Sequence, residues 1–186
     1  DLVEAHSNLG VVFKDLGKLK EAELAQRKAI ELNPDFAEAY YNLSLILIKQ
    51  KKFKEGFNKY EWRWKVKDRK HSIGTKLETS KQEWRPNNKG RVLLWAEQGI
   101  GDEILFASLI PELLEKVDQL IVKVDERLIP LFKRSFNKKI IYYKKNQFVD
   151  EENYDFQIAM GSVPKFLRNS QESFREVKKS YLKTDK

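Results

Sequence analysis

Asp1-Leu2-Val3-Glu4-Ala5-His6-Ser7-Asn8-Leu9-Gly10 returns, altered but in phase, as Asp35-Phe36-Ala37-Glu38-Ala39-Tyr40-Tyr41-Asn42-Leu43-Ser44. Asp1, Glu4, Ala5, Asn8, Leu9, Lys18, Lys20 and Glu21 all recur 34 residues later, eight identities in one ungapped frame. A fixed period of this length marks stacked supersecondary units, each reading as two helices. In the first unit Ala5, Leu9, Val12, Phe13 and Leu16 fall at three- and four-residue steps, which predicts a helix with one buried stripe, ending at Gly17. A second helix is predicted from Leu19 to Leu32, stopped by Asn33-Pro34 because proline disfavours helical geometry in the residue before it. The next pair is expected over Ala37–Gln50 and Phe53–Val66. Gly10, Ala22, Ala29, Ser44 and Gly56 are small enough to let neighbouring helices approach closely.

The helical period is lost between Lys67 and Lys89, where polar residues dominate and Gly74 and Pro86-Asn87-Asn88 act as breakers. Trp62, Trp64 and Trp84 flank this connector, and buried core is the expected fate of so much aromatic surface. After Gly90 short apolar runs alternate with amphipathic stretches. Val92–Ala96, Leu120–Val124, Ile140–Tyr143 and Tyr154–Ala159 read as strands, with helices over Asp102–Lys116, Glu126–Phe136 and Val163–Arg168. This alternation predicts βαβ units and a parallel sheet. The fold class is therefore α + α/β, with helical hairpins over residues 1–67, a linker over 68–90 and half of a Rossmann-like sheet over 91–186.

With no cysteine in 186 residues, disulfide frameworks, thiolate metal sites and cysteine nucleophiles are excluded. The isolated His6 and His71 offer no metal site. The net charge of +8 permits anionic partners, and Arg127, Lys133, Arg134, Lys138, Lys139, Lys144 and Lys145 form a basic run beside Tyr142 and Tyr143. A solvated lysine-rich surface accounts for that run as well, and nucleic acid is not the expected partner. No apolar run approaches the ~18 residues of a membrane span, and Asp1-Leu2-Val3-Glu4 lacks signal-peptide character, so a cytoplasmic location is expected.

In parallel sheets ligands bind beyond the carboxyl ends of the strands, and the first strand-to-helix turn here is Glu97-Gln98-Gly99-Ile100-Gly101-Asp102-Glu103. Gly99 and Gly101 let the backbone approach a ligand, with Glu97 and Gln98 completing the loop. A dinucleotide fingerprint fails because its third glycine falls on Ile104 and two carboxylates would face the pyrophosphate, although Asp125 stands where a ribose-binding acid would. A phosphate-binding Walker loop fails for want of Gly-Lys-Ser/Thr. Asp102 suits a different task, taking a proton from an acceptor hydroxyl, and equally suits a helix cap.

The N-terminal units resemble tetratricopeptide repeats. His6 and Gln26 stand where that family usually has large apolar residues, Lys51 replaces a glycine and Asp68 the closing proline. Two units fall short of the three or so a solenoid needs, so further repeats are expected upstream. The resemblance implies a peptide- or protein-binding concave face at Asn8, Val11, Lys14, Asp15, Asn42, Leu45, Ile48 and Lys49. Asn8 and Asn42 share a phase similar to the asparagine ladder of O-GlcNAc transferases, and solvated amides would explain them too. Beyond the repeats, Tyr60-Glu61-Trp62-Arg63-Trp64, Trp84-Arg85-Pro86, the run Leu93–Ala107, Pro111, Ser162-Val163-Pro164 and Tyr181–Asp185 resemble bacterial proteins with tetratricopeptide repeats ahead of a glycosyltransferase-like module. The Gly101-Asp102 step is similar to the acceptor-side loop of heptosyltransferases, which implies Asp102 as general base. By that resemblance the chain carries the N-terminal lobe of a two-lobed, B-type enzyme, needs no cofactor of its own and is inactive alone. The nucleotide-sugar donor would bind the second lobe. The alternative is a non-enzymatic tetratricopeptide scaffold with a degenerate α/β domain.

Overall fold

A computed structural model describes residues 1–66, 74–136, 139–174 and 180–184. They belong to two compact units, Asp1–His71 with Arg168–Arg175, and Ser72–Leu167 with Glu176–Lys186. Residues 68–73 of the expected connector, with Lys138 and Asp185, lie outside the described residues.

The first unit has helices α1 (Leu2–Asp15), α2 (Leu19–Leu32), α3 (Ala37–Lys49) and α4 (Phe53–Tyr60), followed by a 3-10 turn over Glu61–Lys65. Small side chains set its spacing. Ala22 and Ala29 are fully buried, and a Cβ at Gly56 would lie 2.8 Å from Ile48 Cγ1 and 3.3 Å from the Ser44 carbonyl oxygen, so α4 closes on α3 only as glycine. Gln26 is fully buried and donates from Nε2 to the Ser7 carbonyl at 2.8 Å, in the space that Gly10 leaves without a side chain. The aromatic end of the unit stacks Tyr40 on Trp62 at 3.8 Å, and Arg63 lies buried between Tyr60 and Trp64.

One expectation is corrected. The apolar stripe of α1 is not buried: Leu9, Val12 and Leu16 are 43%, 53% and 65% exposed. Their equivalents 34 residues on, Leu43 and Ile46, are fully buried. The difference is positional, since α3 packs against both α2 and α4, whereas α1 packs mainly against α2. The turn after each first helix repeats faithfully. Gly17 has φ 76°, and Lys51, in its phase, takes φ 63° despite its side chain.

The second unit is a four-stranded parallel sheet in the order β3-β2-β1-β4, with β1 (Arg91–Trp95), β2 (Gln119–Val124), β3 (Ile141–Lys144) and β4 (Phe156–Ala159). One face carries Val92, Leu94, Leu120, Val122, Val124 and Ile158 into a core shared with Ala107, Ile110, Leu113 and Phe132. The single long helix expected after β1 is two, α5 (Ile100–Ala107) and α6 (Ile110–Leu114). Pro111 explains the break, because it has no N–H to donate and its ring collides with a helical carbonyl four residues back. After β2, a 3-10 turn over Glu126–Leu128 precedes α7 (Ile129–Ser135), which has Pro130 in its first turn, and α8 (Pro164–Leu167) follows β4. Trp84 is fully buried in the core of this unit, and its backbone N–H donates to Gln157 O at 2.8 Å, so the stretch before Gly90 covers the free edge of β4.

The start of β1 is fixed to the start of β4 by Asp155, which accepts the Arg91 backbone N–H at 2.8 Å and the guanidinium at 2.8 and 3.2 Å. The Arg91 guanidinium and backbone N–H lower the Asp155 carboxyl to a pKa of about 2. A depressed carboxyl stabilises the fold above its unfolded value of ~3.9 and ceases to do so as pH falls through the folded value. Urea unfolding of the native chain should therefore lose part of its midpoint between about pH 4 and pH 2, and Asp155→Asn should flatten that segment of the profile. The same assay should find Lys51→Gly more stable than native by about 0.5–1 kcal/mol, because the left-handed turn no longer carries a side chain.

Candidate functional site

The strand order places β2 and β3 to one side of β1 and β4 to the other, so the crevice beyond β1 and β4 is where the sheet changes direction. Ligands in open parallel sheets bind at such a point. The loop leaving β1 forms its rim, and two buried carboxylates hold it there. Glu97, 4% exposed, accepts the Gly161 N–H just after β4 at 3.1 Å and the Gln98 side-chain amide at 3.0 Å. Glu103, 2% exposed, accepts the Asp125 N–H at the end of β2 at 2.8 Å, and its other oxygen pairs with Lys145 at 2.8 Å. Lys145 also donates to the Gln98 carbonyl. The loop is thus bound to the ends of β2 and β4 and to Lys145, just past β3. Gly74, at φ 72°, backs onto it so closely that a Cβ would lie 2.8 Å from the Glu97 carbonyl oxygen.

Asp102 differs from both acids. It lies in the first turn of α5, is half-buried, and its side chain makes no hydrogen bond or ion pair among the described residues. No side chain caps α5, whose N-cap is Gly99, and Asp102 Oδ2 lies 3.8 Å from where a Gly99 Cβ would be. Gly99 and Gly101 are exposed, and Gln98 is half-buried. The five expected loop residues therefore divide: Glu97 and Gln98 are engaged in holding the loop, Gly99 and Gly101 keep its surface open, and Asp102 presents a free carboxylate. Glu103 and Lys145 complete the arrangement. Glu103 stands in the quoted loop, but nothing in the periodicity marks it as the buried member of its acidic pair.

Asp125 is fully occupied. Its carboxylate accepts the Arg127 backbone N–H at 3.0 Å and the guanidinium at 2.9 and 2.8 Å, contacts that hold its pKa well below the usual carboxylate range. It lines a cleft of about 220 Å³ whose charges are mutually satisfied, since Lys144 pairs with Glu126 at 2.7 Å. The expected basic run thus has Arg127, Lys144 and Lys145 in ion pairs with acids of this unit. Among the described residues no cluster of three or more His, Cys, Asp or Glu could hold a metal, and no helix is long and apolar enough to cross a membrane.

The first unit carries a separate cavity of about 370 Å³ between α1 and α3. It takes in Asn8, Val11 and Asn42 of the expected concave face. Lys14, Asp15, Leu45, Ile48 and Lys49 do not line it, and Lys14 pairs with Asp15 at 3.3 Å. The two asparagines are unequal. Asn42 is buried and donates to Ser7 Oγ at 3.3 Å, whereas Asn8 is exposed and has no partner among the described residues. Two acids, Glu4 and Glu38, and two aromatics, Phe36 and Tyr41, supply the other walls. Glu4 and Glu38 were legible in the same 34-residue frame as the asparagines.

Lys145 provides the sharpest test of the bracket. Lys145→Met leaves the buried Glu103 charge with one hydrogen bond, and should cost about 2–4 kcal/mol in urea unfolding. Adding Glu103→Gln should return part of that loss.

Residues 3–36 and residues 25–56 each match the tetratricopeptide repeat family. The whole chain aligns with Protein FlbA of Caulobacter vibrioides at 28% identity over 206 residues, and spans 34% of that protein's length. The first unit is therefore built from tetratricopeptide repeats, joined in one chain to a parallel α/β unit.

Proposed function

We propose that this chain is the recognition and acceptor-side part of a glycosyltransferase, with the repeats of residues 1–67 holding a peptide or protein and the α/β unit of residues 91–186 presenting an acceptor hydroxyl to Asp102. The observation that carries the reading is the division among the three acids of the β1 loop. Glu97 and Glu103 are buried and bonded, and Asp102 alone has a carboxylate without a partner among the described residues. A base must be within reach of the proton it removes and must not already be saturated. Here Asp102 accepts the hydroxyl proton as the acceptor oxygen forms the glycosidic bond, the anomeric bond to the nucleotide diphosphate breaks, and the configuration inverts. On this reading the nucleotide sugar is held by a second lobe outside residues 91–186, and the α/β unit supplies the acceptor side.

A second reading, a protein-binding scaffold without catalysis, rests on the tetratricopeptide matches over residues 3–36 and 25–56. The two separate in the full-length protein. Isothermal titration with a panel of nucleotide sugars should show donor binding, and transfer should fall by about 10²- to 10⁴-fold in Asp102→Asn with donor affinity unchanged. Transfer that survives the substitution removes Asp102 from the chemistry. Failure of every donor to bind leaves the scaffold.

A further inference from the structure

We propose that the groove between α1 and α3 takes an extended peptide bearing a lysine or arginine, whose cationic head is received by Glu4 and Glu38. The proposal rests on the reading of the repeats as a peptide-binding array and specifies the ligand for it.

Three observations point to this chemistry. The chain carries a net charge of +8, yet among the described residues the charged ones lining its ~370 Å³ groove are two glutamates. These glutamates are available: neither makes an ion pair or side-chain hydrogen bond among the described residues. On the other helices of the unit, Glu23 pairs with Arg27 and Lys52, Glu55 with Arg27 and Lys59, and Glu31 with Lys28, while Glu21, also without an ion pair among the described residues, lies outside the groove. First-turn acids also favour a helix N-terminus, and Glu4 and Glu38 hold such positions. That role alone does not bring both onto one cavity wall beside an open amide.

The amide is Asn8, exposed in the groove and unpartnered among the described residues. Its carbonyl and NH₂ match the alternating N–H and C=O of an extended backbone. Phe36 and Tyr41 line the same groove and suit the aliphatic stem of lysine or the planar head of arginine. An acidic peptide would set like charges together in the same space, so the groove selects as well as attracts.

The test uses the full chain and fluorescein-labelled nonapeptides that differ only at the central residue, Lys, Arg, norleucine or Glu, read by anisotropy. Lys and Arg peptides should bind about tenfold tighter than norleucine at low salt, with the preference shrinking as ionic strength rises. Glu4→Gln/Glu38→Gln should bring the Lys peptide to the norleucine affinity, whereas Glu21→Gln, on an exposed acid of α2 outside the groove, should leave the preference intact. Asn8→Ala should weaken all four peptides alike. Equal binding of Lys, norleucine and Glu peptides overturns the basic preference while leaving the array a peptide binder. If none of the four binds, the peptide-binding reading falls with it. Circular dichroism of each variant confirms that the helices persist.

Discussion

The loop beyond β1 stays where it is because two carboxylates are buried under it. Glu97 reaches one neighbouring strand end and Glu103 the other, and Lys145 compensates the second charge. A buried carboxylate is tolerated only when its oxygens are hydrogen-bonded or paired, so the loop and the strand ends hold each other in place. Exposed Gly99 and Gly101 and the free carboxylate of Asp102 follow from that bracket. The acids that shape the rim are occupied in holding it, and among the described residues the Asp102 carboxylate is the one left unengaged.

Much of this was readable in the sequence, and the shortfalls have physical causes. Helix α2 spans Leu19–Leu32 as its pattern and Pro34 predict, and the four strands lie where the apolar runs place them. The stripe of α1 misled because periodicity shows which face is apolar, not whether anything covers it. The amphipathic pattern after β1 predicts one long helix because it continues through Pro111, which interrupts the backbone without disturbing the period. Within the site, Asp102 and Glu103 are adjacent acids of the same kind. Only the third dimension reveals that one is turned into the protein toward Asp125 and Lys145 while the other stays at the surface.

Charge is arranged against the average composition. Lysines and arginines outnumber acids across the chain, yet among the described residues the glutamates that line the repeat groove are unpaired, and within the α/β unit Asp102 of the β1 loop has no partner. Several cations are spent in local pairs, Arg127 with Asp125 and Lys144 with Glu126 among them. The net charge therefore describes the bulk surface and says little about the repeat groove or the β1 loop.

The tryptophans are divided evenly between the two units, and that division makes each unit separately visible to light. Trp62 lies 3.8 Å from Tyr40 with the Lys65 ammonium 4.1 Å from its ring, a stacked pair close enough for exciton coupling in the near-ultraviolet. Trp84 and Trp95 sit in the interior of the α/β unit, where Trp95 donates its indole N–H to Gln157 at 2.7 Å. The stacked Tyr40–Trp62 pair belongs to the repeats and the buried indoles of Trp84 and Trp95 to the sheet, so single Trp→Phe replacements would assign the near-ultraviolet dichroism and emission to one unit or the other. Two native indoles in each unit are the probes from which such a readout of separate or joint melting can be built.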